Sequence, residues 1–154
     1  MAYGIRVATK DDDALIAGYF QKMWAEYEAD ELLADSWLND TLAFIENARE
    51  GLEYSAYIAE ANGETIGCAA CQVFAGLYPS VFQPEKRKYG YIWGVYVVSK
   101  NRGKGVARAL TEACRDHLKG IGCTKIVLHA SPMGRPVYEK LGFETSNEMS
   151  LELK

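Results

Sequence analysis

The hydrophobic period changes abruptly within residues 91–118, and this change limits the chain to folds in which a strand runs directly into a helix. Residues 91–98 are rich in aromatic and β-branched side chains, as a central strand is. From Val106 onward, apolar residues at Leu110, Cys114 and Leu118 recur every four positions, which predicts one face of an α-helix. A strand and a helix in this order favour a layered α/β architecture.

The rest of the chain alternates in the same way. Apolar spacing predicts helices at residues 12–27, 36–51 and 135–141, and further strands at 5–8, 54–59, 65–74, 125–129 and 149–153. An irregular segment at 76–88 separates two of the strands. The predicted order β-α-α-β-β-β-α-β-α-β describes a mixed α/β sheet with helices on both faces.

Length and charge exclude several classes of protein. A chain of 154 residues fits one domain spanning residues 1–154. Its 17 Lys and Arg against 21 Asp and Glu give a net charge of -4, which lacks the basic footprint of a nucleic-acid binder. The least polar stretch, 58–77, is too interrupted by polar residues to span a bilayer. We therefore expect a cytoplasmic protein that binds neither nucleic acid nor membrane and keeps its four cysteines as free thiols.

The turn at residues 102–107 has the residue types of an anion site. N–H groups at a helix start are unpaired and partly positive, and glycines leave room for a phosphate. Arg102 and Lys104 add two cations, so the segment predicts a pyrophosphate site. It lacks the G-x-x-x-x-G-K-[ST] spacing of a Walker A loop, and Arg108 stands where the dinucleotide fingerprint requires a third glycine or an alanine.

Two motifs connect the chain to a known family. Residues 102–107 match R/Q-x-x-G-x-G/A, and residues 138–143 read Tyr-Glu-Lys-Leu-Gly-Phe. The first resembles the acetyl-CoA pyrophosphate loop of the GNAT superfamily of N-acetyltransferases, and the second resembles a signature near the end of its domains. The resemblance covers essentially the whole chain. It implies a GNAT fold, with a mixed, mostly antiparallel central sheet of six to seven strands, and acetyl-CoA as cosubstrate without a metal. Dimers are common among the proteins it resembles, so we also expect a homodimer.

The resemblance also implies a role for each matching residue. The backbone of Val97, where the strand opens, would hydrogen-bond the acetyl carbonyl, and Tyr138 would be the general acid for the departing CoA thiolate. The remaining cofactor contacts would come from the residues Val97, Val98, Ser99, Arg102, Gly103, Lys104, Gly105, Val106, Ala107 and, where many relatives carry Asn, Ser131.

The general base stays open at this stage. Some histone acetyltransferases of the superfamily have a Glu where this chain has Tyr91, whose phenol is a poor base at neutral pH. A primary amine with a pKa near about 10.4 must lose a proton before it attacks. Three routes could remove it: a water relay through Tyr91, which we favour, Glu26 on the first helix, or His129 at the end of its strand.

An acidic, aromatic segment predicts the acceptor site. In the superfamily the first two helices wall that site, and here Trp24, Tyr27 and Trp37 lie among Glu26, Glu28, Asp30, Glu31 and Asp35. Such a wall suits a cationic amine. We expect acceptor contacts from Glu26, Tyr27, Tyr91 and Trp93.

These inferences predict an N-acetyltransferase that acts on a primary amine of an unidentified small molecule or peptide. The alternative is a catalytically weak acyl-CoA sensor or regulatory module, which the missing carboxylate at Tyr91 favours and the retained Tyr138 disfavours. The C-x-x-C of Cys68 and Cys71 lies in a predicted strand, where residues three apart face opposite sides, so we expect it to pack in the core. The spacing of the two histidines predicts no metal site.

Overall fold

The computed structural model describes residues 2–76 and 81–153, and within them one sheet of five strands forms. The strands lie side by side in chain order: β1 (Gly4–Val7), β2 (Ser55–Ala61), β3 (Glu64–Val73), β4 (Tyr89–Val97) and β5 (Lys125–Val127). The first four pair antiparallel, whereas β5 pairs parallel with β4. A parallel pair needs a long crossover, and a helix supplies it.

Helices cover both faces of the sheet, as the sequence predicts. They are α1 (Asp13–Glu26), α2 (Trp37–Gly51), the crossover helix α3 (Val106–Gly120) and the short α4 (Arg135–Lys140). None of the helices in the described ranges is long and apolar enough to cross a membrane.

Two apolar clusters hold the helices on the sheet. On one face, the predicted stripe of α3 is buried at Val106, Leu110, Cys114 and Leu118. On the other face, α1 and α2 pack through Ile16 and Ile45. Each of these side chains is at most 1% exposed, so both helical layers rest on dry contacts that carry the hydrophobic stabilisation.

The C-x-x-C motif divides between these clusters. Cys68 packs with α1 and α2, and Cys71 packs with α3 on the opposite face. Both are free thiols, and burial raises the pKa of Cys68 to about 12. The prediction of core packing is confirmed.

The number of strands differs from the expected six to seven. The predicted final strand at 149–153 pairs with no strand in the described part of the chain, and Met149, Leu151 and Leu153 are 93%, 83% and 87% exposed. Their alternation is that of a strand, but a strand forms only where a neighbour takes up its backbone hydrogen bonds. Of the predicted irregular segment, residues 77–80 lie outside the described residues.

β4 is irregular near its middle. Trp93 faces Ala70 of β3 and Tyr96 faces Cys68, so three steps along β4 correspond to two along β3. Gly94 lies inside this bulge with φ +62°, a left-handed conformation that glycine adopts without a steric penalty. The bulge changes which side of the strand each later residue faces.

β4 and β5 separate just before this bulge. Their ladder contains three residue pairs and ends at Tyr91 and Val127. Beyond that pair, the edge of β4 that faces β5 has no strand partner in the described structure. The two strands therefore form the sides of a wedge.

Replacing Gly67 on β3 with alanine tests the close approach of β3 to β4. A Cβ there would lie 2.6 Å from the Tyr96 carbonyl oxygen. That oxygen belongs to the backbone, so relief requires a strand to move, and we expect Gly67→Ala to lower the free energy of unfolding by about 1–3 kcal/mol.

Gly18→Ala in α1 is the control for this variant. Nothing lies within 4 Å of its Cβ position, and alanine has the higher helix propensity, so stability should hold or rise by up to about 1 kcal/mol. Urea unfolding followed by circular dichroism compares the two variants. Equal stability of the two variants would contradict the close approach of Gly67 to the Tyr96 carbonyl oxygen.

Candidate active site

The loop between β4 and α3 presents backbone to the solvent. Gly103, Lys104 and Gly105 are exposed, and the two glycines have φ of +73° and +83°. No protein atom lies within 4 Å of where a Cβ of Gly103 would be. α3 begins at Val106, and its first N–H groups lack intrahelical partners. The loop thus places backbone donors at the positive end of a 15-residue helix, as an anion requires.

The Arg102 side chain is directed away from this loop. Its Nε donates to the Val97 carbonyl oxygen at 2.7 Å, and its Nη2 donates to both carboxylate oxygens of Glu26 at 2.7 and 2.9 Å. The guanidinium also lies 5.4 Å from the centre of the Tyr96 ring. The hydrogen bonds that Arg102 donates to Glu26 raise the pKa of Arg102 further. This side chain joins the end of α1 to β4, so its contribution to an anion site would come from the backbone.

The backbone N–H of Val97 faces the open edge of β4. The N–H of Val98 donates to Ile66 on β3 at 2.9 Å. Successive residues of a strand direct their backbone groups to opposite sides, so the N–H of Val97 faces away from β3, on the side where β5 has separated. The splay that the resemblance implies is present, although the bulge itself lies at Gly94.

A cavity of about 770 Å³ fills the wedge. Its size is typical of a small-molecule site. Seven aromatic side chains line it: Phe20, Trp24, Tyr27, Phe44, Tyr91, Trp93 and Tyr138. The polar lining side chains are Asp40, Thr41, His129 and Ser131. The structure thus brings Tyr27, Tyr91, Trp93, Ser131 and Tyr138 of the predicted site together around one space.

The predicted acidic wall lies elsewhere. Glu26 is paired with Arg102, and it also accepts a hydrogen bond from Tyr96 at 3.1 Å. Among the described side chains of the cluster, Glu26, Glu28, Glu31 and Asp35 do not line the cavity, and the side chain of Asp30 lies outside the described part.

Tyr138 is a buried residue of the cavity lining. It is 9% exposed, its ring packs edge-on against Phe143 with centroids 5.9 Å apart, and burial raises its pKa to about 12. Gly134 lies so close that a Cβ there would be 3.0 Å from the ring. Ser131 fixes the same turn, since its Oγ accepts the Gly134 N–H at 3.0 Å. The phenol is held rigidly and stays protonated at neutral pH.

Three titratable side chains form a row beside the cavity. The Tyr91 hydroxyl lies 2.9 Å from Nδ1 of His129, and Nε2 of His129 lies 3.5 Å from a carboxylate oxygen of Glu148. Burial raises the pKa of Tyr91. The sequence offers Tyr91 and His129 as separate candidates for removing a proton, and the structure connects them. Glu148 is a residue that the sequence analysis missed.

Phe20, Phe44 and Asp40 were also missed. Phe20 and Phe44 contact Trp93 edge-on from α1 and α2, with ring centroids 5.3 and 5.6 Å away. One signal was available: Phe20, Trp24 and Tyr27 follow the i, i+4, i+7 spacing of a single helix face. That spacing is equally typical of a helix face buried in the core. Only the exposure of Trp24 and Tyr27 in the structure distinguishes a cavity lining from a core face.

Comparison with known proteins gives a consistent result. The acetyltransferase (GNAT) family model matches residues 15–143. An uncharacterized N-acetyltransferase of Bacillus subtilis (strain 168) is 30% identical over 143 residues, 91% of this chain and 89% of the relative. The crystal structure of a GCN5-related N-acetyltransferase from Ralstonia eutropha JMP134 aligns with a TM-score of 0.84 and 25% identity over 99% of both chains.

A second solved structure includes the cosubstrate. It is that of a predicted acetyltransferase with acetyl-CoA from Clostridium acetobutylicum, with a TM-score of 0.77 and 30% identity over 99% of this chain and 96% of that one. The family model covers well over half of the chain, and the fold aligns over nearly its whole length. The resemblance carried by the two motifs is therefore confirmed, and the chain belongs to the GNAT family of acetyltransferases.

Proposed function

We propose that this protein transfers the acetyl group of acetyl-CoA to the nitrogen of a primary amine. The observation that carries the proposal is that the site is continuous. The open edge of β4 borders the aromatic cavity, and five residues after Val97 the chain enters the glycine loop, residues 102–107. A cofactor along this edge would have its pyrophosphate at the loop and its thioester at the cavity. The relative from Clostridium acetobutylicum, whose structure holds acetyl-CoA, supports this cosubstrate.

The cofactor would be held mainly by backbone groups. The N–H groups of Gly103 to Ala107 would hold the pyrophosphate, and the exposed Ser99 and half-buried Val98 would flank the pantetheine arm. Ser131 lines the cavity and keeps its hydroxyl proton available, because its Oγ acts as acceptor toward Gly134. Backbone donors suit a phosphate because they are already in position before it binds.

Gly105→Asp tests the loop, with Gly105→Asn as the matched control. Both side chains meet the same φ of +83° and have almost the same size, so only the charge differs. A carboxylate at the phosphate position should raise the dissociation constant of acetyl-CoA at least tenfold above that of the Asn variant, on the order of 1.4 kcal/mol. Titration calorimetry measures both affinities. Equal affinities in two folded variants would contradict the site.

The reaction that fits this geometry is direct attack. The lone pair of the neutral amine forms a bond to the thioester carbon, and the carbonyl oxygen gains negative charge, which the N–H of Val97 stabilises. The C–S bond then breaks, and the CoA sulfur leaves with the bonding pair and takes a proton from Tyr138. The nitrogen gives up its second proton as the amide forms, and that proton returns Tyr138 to its neutral form. Holding both reactants in one cavity supplies much of the rate.

Tyr138 would protonate the CoA sulfur as it leaves. Its pKa of about 12 keeps the phenol protonated at every physiological pH. A thiol has a pKa of about 8.5, so the thiolate needs only limited help to leave. We therefore propose that Tyr138 donates a hydrogen bond to the sulfur and transfers its proton to it as the C–S bond breaks.

Tyr138→Phe should lower kcat by roughly 10–100-fold, the low end of general acid catalysis. The phenyl ring keeps the contact with Phe143, so folding and acetyl-CoA affinity should survive. Tyr57→Phe on β2, outside the cavity, is the control and should keep the wild-type rate. Because the pKa of Tyr138 is raised, the wild type should lose no activity through this group up to about pH 10. Wild-type turnover by Tyr138→Phe, with chemistry limiting, would show that another group is the acid.

The geometry also supports a route for the proton of the amine. Glu26 is less suited than the sequence suggests, because Arg102 neutralises it. The Tyr91 hydroxyl can accept a proton from the amine while passing its own to Nδ1 of His129 at 2.9 Å. Glu148 is placed to attract the imidazolium that forms. We propose this relay in place of one that ends in water.

His129→Ala tests the relay, with His117→Ala as its control. His117 lies on α3, where its Nε2 is 3.1 Å from the Glu53 carbonyl oxygen. Loss of the base should lower kcat/KM about 100-fold at pH 7. The deficit should nearly vanish at pH 10, where a large fraction of the amine is already neutral. Tyr91→Phe should show the same pH dependence, whereas a deficit that stays constant with pH would exclude proton removal.

The homodimer that the resemblance implies stays a prediction. The surface that favours it is the end of the chain, where Met149, Leu151 and Leu153 alternate with polar residues and are almost fully exposed. A second copy could supply the neighbouring strand that this amphipathic segment lacks.

A further inference from the structure

The described lining of the cavity has few charged side chains. Among its described lining residues Asp40 carries the one carboxylate, and none is Lys or Arg. A polyamine would leave charged nitrogens against aromatic rings, and a phosphorylated acceptor would find no cation. The charge pattern therefore selects for acceptors with at most one charged group.

Most polar side chains of the cavity are already engaged. The Thr41 hydroxyl donates to the Trp37 carbonyl oxygen at 2.6 Å, and the indole N–H of Trp93 donates to Gln72 at 3.1 Å. Asp40 accepts from the Ser36 hydroxyl at 2.7 Å. An acceptor with many hydroxyl groups would lose its hydrogen bonds to water and regain few of them here.

The aromatic surface, in contrast, is exposed in the described structure. Trp24, Tyr27 and Phe44 are 40%, 43% and 46% exposed, and all three belong to the same cavity. Deeper inside, Trp93 is held between Phe20 and Phe44 by edge-on contacts. Rings from α1, α2 and β4 thus form a rigid apolar wall, and contiguous exposed apolar surface of this kind marks a binding site. Offset or edge-on packing against such a wall favours another flat ring.

The polar groups lie at a different part of the same cavity. Tyr91, His129 and Tyr138 come from β4, from the segment two residues after β5 and from α4, where the thioester is expected. An acceptor that matches the whole cavity has its amine among these residues and its bulk among the aromatic rings. Because the rings and these polar groups come from different elements that line one cavity, an amine joined to its ring by a short linker can reach both.

We propose that the acceptor is an arylalkylamine, a primary amine joined by a short alkyl chain to an aromatic ring that packs against Trp24, Phe44 and Trp93. The inference rests on the proposed acetyl transfer and specifies its substrate class. The amine reaches the protein as a single cation and loses its proton to the Tyr91–His129 pair. The ring supplies most of the binding through burial of apolar surface.

Acetyl transfer to two matched amines tests the inference. 3-Phenylpropylamine and propylamine share the amine and the linker and differ by the ring. Release of the CoA thiol gives kcat/KM for each, and we expect the phenyl compound to exceed propylamine by roughly 10–100-fold, as full burial of an aromatic side chain would. Glucosamine and spermidine should be poorer than 3-phenylpropylamine. The selectivity should persist at high salt, since burial of a neutral ring is not screened.

Phe44→Ala connects the selectivity to the cavity. Removing this ring should reduce the preference for 3-phenylpropylamine over propylamine at least fivefold. Leu38→Ala on the same helix removes a half-exposed apolar side chain that does not line the cavity and should keep the preference. The kcat/KM ratio of 3-phenylpropylamine to propylamine in the wild-type protein tests the inference even where a variant does not fold.

The outcomes separate this inference from the function on which it rests. Thiol release with glucosamine, spermidine or propylamine at rates equal to or above those with 3-phenylpropylamine would overturn the arylalkylamine assignment and leave acetyl transfer standing. No thiol release with any amine, by a folded protein that binds acetyl-CoA, would overturn both. A preference for 3-phenylpropylamine that Phe44→Ala leaves unchanged would place the ring outside the cavity and would also overturn the assignment.

Discussion

The separation of β4 from β5 is the constraint on which the rest of the site depends. The two strands share three residue pairs and then diverge, and the bulge at Gly94 follows at once. Backbone groups along the freed edge lack strand partners, and a buried group left without one costs about 1–3 kcal/mol. A protein keeps such an edge open where water or a ligand can pair with it. Here the opening provides both the amide expected at the acetyl oxygen and the volume for the acceptor.

One ion pair connects the two halves of the site. Glu26 ends α1, which carries much of the aromatic wall, and Arg102 begins the glycine loop. Their bidentate contact, reinforced by the Arg102 bond to the Val97 carbonyl oxygen, fixes the helix relative to the loop. Partly exposed pairs contribute little to stability, so the main effect of this one is positional. The loop between β4 and α3 and the aromatic lining of the cavity are thus held in one arrangement.

The cavity separates two chemical tasks. Its aromatic part offers apolar area for binding and almost no hydrogen bonds. Tyr91, His129 and Tyr138 gather at the part where, in the proposed reaction, the amine loses a proton and the CoA sulfur gains one. Burial acts on both phenols in the same direction and keeps them protonated. That is the form a proton donor needs, as proposed for Tyr138, and the form from which Tyr91 would pass a proton to His129 in the proposed relay.

The sequence by itself determined what depends on neighbours along the chain. The helix of 106–118, the strands at 54–59 and 65–74, the glycine loop and the motif at 138–143 follow from local backbone preferences and from hydrophobic period, and these identify the family. Tertiary structure decided what depends on distant residues: Arg102 meets Glu26 across 76 positions, and Tyr91 meets His129 across 38. It also decided that the alternating residues at 149–153 stay unpaired. The physical reason is register. A bulge of one residue changes which face a side chain takes, and that depends on how whole strands and helices pack, which no local pattern records.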